Sequence, residues 1–244
     1  MLILGGTAEA RALAQQLHDV GVPVISSLAG RVARPRLPVG NVRVGGFGGP
    51  EALARWLGEL AITAVVDATH PFAERISASA ARAAAVAGVP LLRLERPGWE
   101  AVDGDRWRWV DDLPRAAAAI RALGAARVLL TSGRQGLAAF AHDNTSWFLI
   151  RCVDPPDVAL PARHEVLLDR GPYTLEGELA LIDRHDIDAV VTKDSGGPLT
   201  EAKLEAARIR GVPVIVVRRP PGPEVATVRT AAEAAAWAGR QPSG

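Results

Sequence analysis

Short apolar runs rich in valine, isoleucine and leucine alternate along the chain with longer alanine-rich stretches whose apolar residues recur at helical spacing. That alternation predicts parallel strands joined by helical crossovers. Leu2 to Leu4 reads as a strand, and the helix after it sets Leu13, Leu17 and Val20 on one face. Strands are expected at Val22 to Ser26 and Val42 to Val44, the second running into Gly45-Gly46-Phe47-Gly48-Gly49 and a helix to about Leu60. Ile62 to Val66 predicts a strand, Phe72 to Ala87 a helix and Leu91 to Leu94 a strand. A strand at Trp107 to Val110 and a helix near Leu113 to Leu123 come next. The pattern then restarts, with strands at Arg127 to Leu130 and Trp147 to Cys152 and a helix at Leu175 to Arg184. A strand at Asp188 to Val191, a helix over about Leu199 to Ile209 and a strand at Val214 to Val217 complete it. The last helix opens with Thr230 and Glu233 at capping-box spacing.

The two halves echo each other. Gly88-Val89-Pro90-Leu91-Leu92-Arg93-Leu94 matches Gly211-Val212-Pro213-Val214-Ile215-Val216-Val217 at an offset of 123, and Ala64-Val65-Val66 matches Ala189-Val190-Val191 at 125. Any one pair could reflect the common grammar of α/β units. Two pairs at nearly one offset, in the same order, favour two similar Rossmann-like parallel-sheet subdomains with a cleft between them. The boundaries that follow are residues 1–97, a connecting strand and helix over 98–126, and residues 127–244. Ligands of parallel sheets bind beyond the carboxyl ends of the strands. The loops to inspect are therefore Gly5 to Ala8, Ala68 to Phe72, Thr131 to Gly136 and Lys193 to Pro198.

Composition narrows the function classes. The 244 residues are 48% apolar with an ordinary charged fraction, which suits a globular chain with a substantial core. A net charge of +1 leaves no electrostatic footprint for nucleic acid, and sparse aromatic residues offer no rows of base-stacking platforms. No apolar run reaches the length of a membrane span, and MLILGGTAEA reads as a strand and turn with no basic segment ahead of it. Cys152 stands alone, which excludes an internal disulfide and fits a cytoplasmic location. The five histidines are scattered, without metal-ligand spacing, so no metal is expected. Of 28 basic residues only Lys193 and Lys203 are lysine, and both fall in one stretch. A compact ammonium kept in an arginine-rich chain suggests a task that a guanidinium cannot imitate.

The loops then acquire chemistry. Gly5-Gly6-Thr7-Ala8 follows a strand and opens a helix, where glycine lets a phosphate approach the backbone and the free N–H groups favour an anion. It is an abbreviated dinucleotide fingerprint, since Ala8 and Ala10 stand where glycine might be expected. At the end of the second strand, NAD enzymes usually carry a carboxylate for the ribose 2′-hydroxyl. Here the chain reads Ser26-Ser27-Leu28-Ala29-Gly30-Arg31, with no carboxylate, and serine hydroxyls plus Arg31 suit the 2′-phosphate of NADPH. Thr69 and His70, in Asp67-Ala68-Thr69-His70-Pro71-Phe72, end the fourth strand. A histidine there is placed to orient substrate or pass a proton, with simple loop capping as the competing role. Ser132, Gly133 and Arg134 repeat the first turn in reduced form. Lys193, Asp194, Ser195, Gly196 and Gly197 do so more strongly, the glycines permitting a nest of N–H groups. Asp194 and Ser195 also suit helix capping. Lys203 lies about one and a half turns into the next helix, within reach of the loop. The second half thus presents three cations to a ligand carrying carboxylates or phosphates.

GGTAEA, DATHPFA, TSGRQG, KDSGGPLTEAK and GVPVIVVRRP, in that order over nearly the whole chain, resemble the precorrin-6A reductase family. The resemblance implies an NADPH-dependent reduction of a conjugated double bond in a tetrapyrrole during corrin synthesis, on a metal-free or a cobalt-bearing macrocycle. It also explains the cations, because such substrates carry many acetate and propionate arms. On that footing Gly5, Gly6, Thr7, Ala8 and Arg31 hold cofactor phosphates, Gly46 and Phe47 lie near the adenine, and Thr69 and His70 lie near the nicotinamide. Ser132, Gly133, Arg134, Lys193, Asp194, Ser195, Gly196, Gly197 and Lys203 meet the substrate, and His70, Lys203 or water supplies the proton. Asp194 stands where the family leads one to expect asparagine, so its carboxylate is expected to steer Lys193. The competing readings are a reductase of another polyanionic conjugated molecule and a non-enzymatic NADP-sensing protein.

Overall fold

The computed structural model describes residues 1–30 and 32–241, so Arg31, singled out above for the 2′-phosphate, lies outside the described residues. The chain divides into two compact units: Met1–Pro97 together with the chain from Pro220 onward, and Gly98–Arg219.

The first unit holds β1 (Leu2–Leu4), α1 (Ala8–Asp19), β2 (Ile25–Leu28), β3 (Asn41–Val44), α2 (Pro50–Glu59), β4 (Val65–Asp67), α3 (Glu74–Ala87) and β5 (Leu91–Leu94). The second holds β6 (Trp107–Val110), α4 (Leu113–Leu123), β7 (Arg127–Leu130), β8 (Trp147–Cys152), β9 (His164–Leu168), α5 (Leu175–Arg184), β10 (Ala189–Lys193), α6 (Ala202–Arg210) and β11 (Val214–Val217). The chain then returns to the first unit with β12 (Thr227–Val228) and α7 (Ala231–Ala238).

Each unit is built on a six-stranded parallel sheet, ordered β12-β5-β4-β1-β2-β3 and β6-β11-β10-β7-β8-β9. Both follow the doubly wound strand order, in which the direction of winding reverses beside the first strand, β1 in one unit and β7 in the other. The central strands are buried on both faces, which is why Leu2-Ile3-Leu4 and Val214-Ile215-Val216-Val217 read as unbroken apolar runs. Leu53, Leu57, Ile62, Val65 and Ala80 fill one side of the first sheet. Ala10, Leu13, Leu17, Leu92 and Ala234 fill the other. In the second unit Leu129, Leu149, Val190, Leu204 and Val214 form the matching core.

Two strands begin later than the apolar pattern predicts, for one reason. The N–H groups of Val22 and Ile62 close the ends of the preceding helices by donating to the Leu17 and Leu57 carbonyls. The ladders then start at Ile25 and Val65. The strand expected at Asp188 to Val191 is Ala189–Lys193. The helix expected from Leu199 is a 3-10 turn over Pro198–Thr200 followed by α6. β9 has no counterpart in the sequence reading.

The assignment of residues 127–244 to one subdomain, with 98–126 as connector, also changes. β6 pairs with β11 and α4 packs beside it, so residues 98–126 are part of the second unit. β12 pairs with β5 and α7 packs on α1, so the last stretch of chain completes the first unit. Each sheet takes its sixth strand from beyond its own half of the near-repeat. Among the described residues no helix is long and apolar enough to cross a membrane, and no group of three or more His, Cys, Asp or Glu could hold a metal ion.

Candidate functional site

The turn from β1 to α1 is a surface of backbone donors. The Gly5 N–H donates to the Ser27 carbonyl at 2.9 Å, and a Cβ at Gly5 would make ordinary contact with Ala10 and Leu28 at 3.4 and 3.5 Å. Gly6 holds φ at +115°, a conformation costly for any side chain. The Thr7 hydroxyl accepts the Ala10 N–H at 3.1 Å, capping α1, and donates to the Ala68 carbonyl at 2.8 Å. Its side chain is thus committed to the scaffold, and what Thr7 and Ala8 can offer a phosphate is the amide edge at the start of α1.

At the neighbouring strand ends, Ser27 and Arg43 are register partners. Ser27 is nearly buried, and Arg43 donates to the Gly45 and Gly46 carbonyls at 2.5 and 2.7 Å. The Arg43 guanidinium also lies 3.8 Å from the centroid of Phe47, whose ring meets Trp56 edge-on. Ser27, Gly46 and Phe47 are thereby gathered around an arginine that the sequence reading passed over. Its signal was legible: a cation at the third position of the short strand Asn41-Val42-Arg43-Val44.

After β4 the loop is pinned by a buried carboxylate. Asp67 Oδ1 accepts both the N–H and the hydroxyl of Thr69, at 3.1 and 2.7 Å. His70 Nδ1 accepts the Phe72 N–H at 3.2 Å, so the neutral ring carries its proton on Nε2. The capping role weighed for His70 is therefore real, and it fixes the tautomer that leaves Nε2 the proton-bearing nitrogen. Beside this loop a cavity of about 230 Å³ is lined by Pro71, Ser77, Arg93 and the Pro220–Pro223 segment.

In the second unit the loop after β7 is tied down by Thr131, whose hydroxyl donates to the Val191 carbonyl at 3.1 Å. Ser132 is buried, and its Oγ has no hydrogen-bond partner. Gly133 and Gly136 both adopt positive φ, and a Cβ at Gly136 would collide with Leu113 at 2.2 Å. After β10, Gly196 and Gly197 have φ of 64° and 75°. The Gly197 carbonyl accepts the indole N–H of Trp99 at 3.2 Å. Burial pushes the Lys193 ammonium below its usual pKa range.

Two expectations for this loop change. The Asp194 carboxylate accepts the Trp99 N–H at 3.0 Å and lies 3.2 Å from Arg219 Nε, so it fastens the loop to its own unit. Lys203 was expected to reach back toward the strand ends. It lies instead on the buried face of α6 with Leu204, Ala206 and Ala207. Its Nζ donates to the Thr200 carbonyl and sits 4.5 Å from the centroid of Trp99. Burial, with Arg151 adding repulsion, lowers its pKa to about 7. Arg151 in turn pairs with Glu178 at 2.6 Å, both nearly sealed from solvent, and covers the ring of Tyr173 at 3.8 Å. Sequence reasoning missed Arg151 and Glu178. The hint was a charge inside the otherwise apolar run Trp147-Phe148-Leu149-Ile150-Arg151-Cys152.

Comparison with known proteins gives the family. Residues 1–239 match the family model described as precorrin-6x reductase CbiJ/CobK. The chain belongs to this family. The precorrin-6A reductase of Rhodococcus erythropolis is 54% identical over 98% of this chain and 97% of its own length. That of Mycobacterium tuberculosis is 51% identical over 100% and 98%. The solved structure of CobK precorrin-6A reductase superposes with a TM-score of 0.91 at 42% identity, covering 98% of this chain and 95% of that one. As a member of the precorrin-6x reductases, the chain is an oxidoreductase acting on a CH–CH group. That decides against the non-enzymatic sensor.

Proposed function

We propose that this reductase adds a hydride and a proton across a carbon–carbon double bond of precorrin-6A in cobalamin biosynthesis, using NADPH. The observation that carries the reading is the full-length match to relatives named for that reaction. A bound reduced nicotinamide supplies the hydride. The backbone of Gly5, Gly6, Thr7 and Ala8 holds the pyrophosphate, and Ser27 and Arg31 take the 2′-phosphate. Gly46 and Phe47 bound the adenine, while Thr69 and His70 border the nicotinamide. The first unit fits such a cofactor because Gly6 opens the backbone where a phosphate must come close and no carboxylate stands beside Ser27 to repel a second phosphate.

The second unit is read as the holder of the macrocycle's carboxylate arms. Ser132 Oγ, Arg134, Lys193, Ser195 and the amides of Gly133, Gly196 and Gly197 supply the donors. Lys203 and Asp194 serve as positioning residues that hold this loop's shape. His70, with its proton on Nε2, is placed to orient the reacting edge or donate to the carbon next to the hydride acceptor.

The decisive experiment follows NADPH oxidation anaerobically with metal-free precorrin-6A and, separately, its cobalt complex. The expected result is turnover of the metal-free macrocycle with NADPH preferred over NADH. Turnover confined to the cobalt complex would reassign the substrate, and no oxidation with either would remove the reading.

A further inference from the structure

The environment of Arg43 is unusual in what it lacks. Nη1 donates to the Gly45 carbonyl and Nη2 to the Gly46 carbonyl. Nη1 also lies 3.4 Å from Ser27 Oγ. Phe47 backs the plane at 3.8 Å. All these partners are neutral. Among the described residues no carboxylate pairs with Arg43, and no hydrogen bond is made by its Nε. A guanidinium held in one orientation loses side-chain entropy, and neutral oxygens cannot neutralise it. A cation with only neutral partners is prepared for an anion.

Its position says which anion. Ser27 lies in β2 one residue from the strand end, where a dinucleotide fold reads the 2′ position of the adenosine ribose. The parallel register places Arg43 directly across from it on the next strand, so both side chains leave the same face of the sheet. Gly45, whose N–H donates to the Leu28 carbonyl at 2.8 Å, has φ +119° and turns the chain so that its own carbonyl meets the guanidinium. Phe47 and Trp56 add aromatic surface beside the cation.

We propose that Arg43, fixed by the Gly45 and Gly46 carbonyls and the Phe47 ring, is a specificity-determining residue that grips the 2′-phosphate of NADPH alongside Ser27. This rests on the NADPH reading above and adds a cation from β3 to the one expected on the β2–β3 loop.

Binding of NADP⁺ and NAD⁺ to the intact protein, measured by calorimetry without turnover, tests it. Arg43→Gln should weaken NADP⁺ by about 10- to 100-fold, as expected for loss of a charge-assisted pair, and leave NAD⁺ unchanged. An unaltered NADP⁺/NAD⁺ ratio, including equal weakening of both, would overturn the proposal and leave the NADPH reading standing. A wild-type protein that does not discriminate would overturn both. A second measurement needs no variant: modification of Arg43 by phenylglyoxal, followed by mass spectrometry on the wild-type protein. Adenosine 2′,5′-bisphosphate should slow it and 5′-AMP should not; equal protection by the two would overturn the assignment.

Discussion

Lys203 shows what burial does to a residue chosen from composition. Lys193 and Lys203, the chain's two lysines, are partly and wholly withdrawn from water respectively. For Lys203 the consequence is a pH-dependent stability whose sign is fixed. With its folded pKa near 7 against an ordinary 10.5, the native protein binds fewer protons than the unfolded chain between those values. Stability should therefore rise with pH from about 7 toward 10, by at most about 1.4 kcal/mol per pH unit. Urea unfolding across that range checks it, and Lys203→Met should flatten the slope. The neighbouring ion pair is expected to be costlier to break. Arg151→Met leaves the Glu178 carboxylate buried and alone, with a loss of about 3–5 kcal/mol by the same measurement. Arg31 makes a third prediction on sequence grounds: Arg31→Ala should weaken NADPH binding by about 1–3 kcal/mol and spare NADH. Equal losses would remove Arg31 from the 2′-phosphate.

Among the elements, turns carry more of the specification than helices do. Gly136 opens the 3-10 turn Leu137–Phe140 with φ +85°, and its missing Cβ makes room for Leu113 of α4. Gly136→Ala should therefore cost at least 1–3 kcal/mol, from backbone strain plus the collision, and lower the melting temperature. Its neighbour Gly133 has open space around the Cβ position and pays only the strain, so Gly133→Ala should be the milder of the two. The helices were legible because their spacing and caps agree. Thr230 and Glu233 form the capping box that their separation foretold, and α4, α5, β5, β6, β7, β8 and β11 have the ends the pattern predicts. Where β2 and β4 start late, a main-chain hydrogen bond that closes the preceding helix had taken the first apolar residue of the predicted strand. An apolar pattern carries no record of where backbone N–H groups go.

The two units differ in how the chain supplies them. Residues 98–219 are contiguous, whereas the first unit needs its β12 and α7 from the far end of the chain. Ala234 and Ala238 of α7 lie in the same core as Leu13, Leu17 and Leu92. The fragment 98–219 should accordingly unfold cooperatively when made alone, and 1–97 should not. Circular dichroism melts of the two fragments check this, and a cooperative transition for 1–97 would show that α7 is dispensable. The near-repeat and the glycine turns at the strand ends were set by the sequence itself, because glycine tolerance, β-branched runs and helical spacing are local properties of the chain. Membership of the reductase family likewise follows from residues in order. Which half each sixth strand joins, the withdrawal of Lys203 into the core and the fixing of Arg43 beside Ser27 were decided only by the tertiary structure. Those depend on register, burial and hydrogen bonds between segments far apart in the chain, which no local pattern encodes.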